Sequence, residues 1–172
     1  MVSEPNETQE RIDALLRAET GLDAVWETPP VWLGLLITGL SLAVGEEEVI
    51  YLGASLTSAD PDAVLRVGIF TPDILVTAEV NGISAEGHKE IKTMVQARAD
   101  LARFEVSGGS SSFDPDELDE WPGGFSIRAI YASGLEVIVP SSIVDTNAKR
   151  HSVNAVLAGL RADLRGYNRR HN

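Results

Sequence analysis

Five carboxylates crowd one short stretch: Asp114, Asp116, Glu117, Asp119 and Glu120. Oxygen ligands at this density are what a calcium ion requires. The spacing does not match an EF-hand loop, which needs acids or Asn at fixed positions and a glycine at its bend. The expectation is a solvated acidic loop, with calcium and a basic protein partner as the alternatives. Trp121 follows at once, ahead of Pro122, Gly123 and Gly124. A tryptophan beside flexible residues is a candidate contact residue, because tryptophan is common among interface hot spots. The competing expectation is that it folds back over the domain.

The remaining reactive side chains do not assemble into a pattern. His88 sits among Glu86, Lys89 and Glu90, His151 lies beside Lys149 and Arg150, and His171 is near the C-terminus. No two are spaced as metal ligands on one helix or strand, so surface histidines are expected. Ser110, Ser111 and Ser112 lie in the same polar stretch as the acids, and no G-x-S-x-G presents a serine on a rigid turn. There is no phosphate-binding G-x-x-x-x-G-K-[ST] and no dinucleotide-binding G-x-G-x-x-G after a strand. The chain has no cysteine, which excludes thiol catalysis, disulfides and thiolate zinc sites. The expectation is a non-catalytic protein with no cofactor and no metal.

Charge narrows the partners. The formal net charge is −12, which disfavours nucleic acid and anionic lipid headgroups through repulsion. The one basic cluster is Arg161, Arg165, Arg169 and Arg170, read as cations that offset a helix C-terminus. Glu46, Glu47 and Glu48 stand before an apolar run and read as charge guarding a strand against aggregation. The N-terminus is acidic and has no apolar signal core, which fits a cytosolic protein. The longest apolar stretch, Val31–Val44, falls short of the roughly 20 residues a membrane span needs. Burial in protein is expected for it, with an interfacial segment as the minor alternative.

Periodicity then supplies the elements that must position these residues. Glu7–Thr20 carries Ile12, Leu15 and Leu16 on one narrow stripe behind an Asn6 cap, and Gly21 ends it. Thr28 as N-cap, Pro29 at the first helical position and Gly45 beyond the end predict a second helix over Pro29–Val44. A fully buried strand is the alternative, since Leu35, Ile37 and Leu42 suit either, and length and the caps favour the helix. From there the period changes to two. Strands are expected over 47–57, 63–71, 74–80, 91–98, 102–106, 125–132 and 135–140, with turns at Thr71-Pro72-Asp73, Asn81-Gly82 and Ser133-Gly134. Ser107–Gly124 is the one long loop. Val153, Val156, Leu157, Leu160 and Leu164 fall at helical spacing and predict a helix over Thr146–Arg165, ended by Gly166. The fold class is therefore α+β: a curled antiparallel sheet or barrel of about seven strands, a C-terminal amphipathic helix and two N-terminal helices. The expected division is residues 1–44 as a helical extension, 45–166 as the β domain with its helix, and 167–172 as a tail.

This order resembles the bacterial pleckstrin-homology-like family over Gly45–Arg165. GEEEVIYLGASL (45–56) is similar to its opening strand, VGIFTPDILVTAEV (67–80) to its next hairpin, ADLARFEV (99–106) to a following strand, and ASGLEVIVP (132–140) to the hairpin before its helix. The chain departs from the family where Thr71 is followed by no arginine. It departs again in the SADPD loop (58–62), which has acids where lipid-binding members carry lysine and arginine. The resemblance thus implies a scaffold for oligomerisation or protein binding, without phosphoinositide binding, and it carries over no ligand residue.

The functional expectation is a cytosolic protein-interaction or self-assembly module. Trp32, Leu36 and Trp121 are the candidate interface residues, since Val31–Val44 looks too apolar for one small domain to cover. The alternatives are a small-ligand binder or enzyme using a barrel mouth, and peripheral membrane attachment through Val31–Val44, which the net charge opposes.

Overall fold

The switch from helical to period-two patterning is reproduced in the chain's architecture. A computed structural model of the protein describes residues 7–20, 29–57, 63–83, 90–108, 124–141 and 147–171. Among them are three helices and seven strands, an α+β arrangement. The chain divides into two units, Met1–Gln96 and Ala97–Asn172.

The first unit holds α1 (Glu7–Thr20), α2 (Val31–Val44) and strands β1 (Tyr51–Leu56), β2 (Val64–Phe70), β3 (Ile74–Asn81) and β4 (Ile91–Ala97). Its sheet has the order β1-β2-β3-β4. The antiparallel register aligns Leu52, Ile69 and Val76 across three strands, and likewise Ala54, Val67 and Ala78. Alternation sends both rows to one face, where they pack with Ile12, Leu16, Leu33, Leu36, Leu40 and Val44 of the two helices in one core. On the other face Tyr51 and Phe70 meet edge to face, with centroids 6.2 Å apart.

A three-residue link, Thr71-Pro72-Asp73, joins β2 to β3. No residue here takes a positive φ, so the turn lacks the mirror-image geometry that short hairpins favour. Thr71 compensates by its side chain. It is fully buried; its backbone N–H donates to the Ile74 carbonyl at 3.0 Å, and its Oγ1 accepts from the Ile74 N–H at 3.1 Å. The Thr71 hydroxyl is also within hydrogen-bond reach of the Glu47 carboxylate, so one acid of the Glu46–Glu48 run serves this turn.

The second unit opens with a single 3-10 turn, Arg98–Asp100, followed by β5 (Leu101–Gly108), β6 (Phe125–Tyr131), β7 (Glu136–Val139) and α3 (Asn147–His171). The sheet order is β5-β6-β7, all antiparallel. A register shift falls between Leu101 and Arg103. The unit buries Leu101, Ile127, Ala129, Tyr131 and Val139 from its strands and Val153, Val156 and Leu160 from α3. Arg128 lies between Glu136, at 2.6 Å, and Glu105, at 3.7 Å, on exposed positions.

Three sequence expectations change. The seven strands form two sheets of four and three and do not close into a barrel: β4 and β5 are consecutive but belong to different sheets, with the Arg98–Asp100 turn between them. Helix α2 starts at Val31 rather than Pro29, with Pro30 extended at the N-cap (φ −68°, ψ 150°). Pro29 precedes a proline, and that steric neighbour bars it from the helical region. Helix α3 runs past Gly166 to His171. Gly166 is not among the positive-φ glycines, so it sits in the helix as a weak former instead of capping it. Asn6, Thr28, the SADPD loop, His88 and residues 109–123 lie outside the described residues.

Candidate functional site

Helix α2 contains no charged residue, and neither its first turn nor its last offers a side chain to complement the helix dipole. Its polar side chains turn inward on the helix itself. Thr38 donates to the Gly34 carbonyl at 2.9 Å and Ser41 to the Ile37 carbonyl at 2.8 Å. Gly45 ends it at φ 64°, its N–H donating to the Ser41 carbonyl at 2.8 Å. At 14 residues the helix is about 21 Å long.

One face of α2 is spent on the first unit's core: Trp32, Leu33, Leu36, Leu40 and Val44 are buried. The opposite face is open. Val31 is 83% exposed, Leu35 53% and Leu42 81%, and Gly34 and Thr38 are exposed between them. The positions Val31, Leu35, Thr38 and Leu42 follow intervals of four, three and four, the spacing of a helix–helix seam. A side chain placed at Gly34 would meet nothing within 4 Å, so another backbone can approach closely there. Scattered exposed apolar residues are ordinary, but a contiguous stripe of this kind marks a contact surface.

Of the sequence candidates, Trp32 and Leu36 lie on the inward face, where they hold α2 to α1 and the sheet. Trp121 and the acids Asp114, Asp116, Glu117, Asp119 and Glu120 fall outside the described residues. The outward residues Val31, Leu35 and Leu42 escaped the sequence reading for a physical reason: a helix apolar all round carries no amphipathic signal to say which face is buried.

A second cluster, in the other unit, is polar and buried. Arg98 is 3% exposed. Its Nε and Nη2 donate to Oδ2 of Asp163 at 3.0 and 2.8 Å. Gly159, one turn before Asp163 on α3, makes room for the guanidinium: a Cβ there would lie 2.1 Å from Arg98 Nη2. Tyr131 is buried nearby with no partner for its hydroxyl. Burial, foremost, pushes the Tyr131 phenol well above its usual range; Arg98 opposes this and Asp163 adds to it. The Arg66 hydrogen bond holds the carboxyl of Glu79 below its ordinary value.

His151 is exposed, its Nδ1 2.9 Å from the Asn147 carbonyl. No group of three His, Asp or Glu able to hold a metal occurs among the described residues. No described helix is long and apolar enough to cross a membrane. No family model, curated protein or solved structure matches the chain.

Proposed function

We propose that the protein is a non-catalytic self-assembly module and that the outward face of α2 is its contact surface. The observation that carries this is the uncharged stripe Val31, Leu35, Thr38 and Leu42, spaced as a helix–helix seam and open along its length. The seam favours a helix as the occupant, because knobs at such intervals fit the holes of a facing helix. The order of antiparallel strands followed by one helix supports the pleckstrin-homology-like reading as part of the same proposal, as a scaffold whose binding element lies in its N-terminal helices.

Light scattering on a size-exclusion column, at several concentrations and with native mass spectrometry of the peak, tests this. The expected result is a mass above the 18.5 kDa chain that rises with concentration and returns to monomer in Leu35→Lys/Leu42→Lys. A monomer at every concentration would sink the proposal.

A further inference from the structure

Resting on that reading, we infer that the occupant of the α2 face is the outward face of α3 on a second copy of the chain. The argument is charge complementarity. Residues 1–96 hold sixteen of the chain's 26 acids and five of its 14 bases, and Glu7, Glu10, Glu46 and Glu48 are exposed on α1 and beyond α2. Helix α3 is the opposite. It bears Lys149, Arg150, Arg161, Arg165, Arg169 and Arg170 against a single acid, Asp163. That acid is taken by the buried Arg98, so the exposed positions of α3 carry Arg161 and Arg165 with no carboxylate among them. Between these arginines and up the helix, Ala155, Ala158 and Ala162 are exposed beside Asn154 and His151, and the three alanines leave room for the larger Val31, Leu35 and Leu42.

A symmetric pairing of two α2 faces would instead bring two strongly acidic regions together. Like charges across a contact disfavour that partner, whereas opposite charges steer the α2–α3 encounter and fix its register. The contact is head-to-tail: each copy presents an α2 to one neighbour and an α3 to another, so assembly proceeds beyond the dimer unless the rotation closes a ring.

Two full-length variants, each blocked on one face, test this by mixing. Leu35→Lys/Leu42→Lys spoils α2 and leaves α3 intact; Arg161→Glu/Arg165→Glu spoils α3 and leaves α2 intact. Each alone is expected to be monomeric in sedimentation velocity. Mixed in equal amounts they should form a heterodimer that grows no further, since one supplies the α2 face and the other the α3 face. Wild-type assembly should also weaken by about tenfold or more between low and high salt, as screening removes the attraction. Ala158→Lys keeps the positive charge but fills the close approach, and should dissociate the assembly as the arginine variant does. If the wild type assembles and both α3 variants still assemble unchanged, the α3 inference is overturned while the α2 reading stands. A wild type that never leaves the monomer overturns both.

Discussion

The guanidinium of Arg98 occupies the space that a side chain at position 159 would need. A Cβ on Gly159 would lie 2.1 Å from Nη2 and 3.2 Å from Cζ, and Arg98 is held there by two hydrogen bonds to Asp163. Gly159→Ala therefore sets two effects against each other. Alanine favours the helix by about 1 kcal/mol. Displacing a buried arginine from its carboxylate costs more, since breaking a buried pair is worth about 3–5 kcal/mol. The net expectation is destabilisation of the second unit, read as a lower midpoint in urea. A raised midpoint would show that Arg98 moves aside freely.

The same pair predicts a contrast between single and double substitutions. Asp163→Leu alone strands a buried cation and should cost about 3–5 kcal/mol. Arg98→Met combined with Asp163→Leu removes both charges, and apolar replacements of buried pairs are often neutral or stabilising. Calorimetry of the two variants decides it. Equal losses in single and double would mean that the pair contributes specific stability beyond neutralising itself.

Tyr131 adds a pH dependence. Its phenol is pushed upward by burial, so the folded chain holds the proton more tightly than the unfolded one. Below the unfolded value, about 10, both states are protonated and the group gives no slope. Above it the unfolded chain ionises first, and stability falls as pH rises. Tyr131→Phe should flatten this alkaline loss. Because the hydroxyl has no partner, the variant should be at least as stable as the parent at neutral pH. Urea titrations at pH values on both sides of 10 would check both statements.

Much of the fold was legible because alternation is a local signal. The strand at 74–80 and the hairpin at 125–140 announced themselves through Ile74, Val76, Ala78 and Val80, and through Phe125, Ile127, Ala129 and Tyr131. The division of strands between two sheets was not legible, because hydrogen-bond partners are a non-local property that the period-two pattern does not encode. The outward face of α2 was hidden by its uniform apolarity. Arg98 and Asp163 are 65 residues apart, and neither belongs to a motif. The one local hint was Gly159, a glycine inside a helical pattern, which often signals close approach of another group.

The two faces of α2 give a sharp test because Leu36 and Leu42 have the same chemistry and opposite surroundings. Leu36 is fully buried and Leu42 is 81% exposed. Leu36→Ala should cost about 2–5 kcal/mol by losing transfer energy and leaving a cavity among Ile12, Leu16 and Leu40. Leu42→Ala removes the same atoms from solvent, and its effect on monomer stability should stay within about 0.5 kcal/mol. Concentration dependence should reverse the ranking: Leu42→Ala weakens assembly, whereas at equal folded fraction Leu36→Ala leaves the outward seam intact. Denaturation with urea, paired with light scattering below each midpoint, separates the roles. If Leu42→Ala destabilises the monomer as much as Leu36→Ala, then α2 buries both faces in the chain itself, and the outward seam is no contact surface.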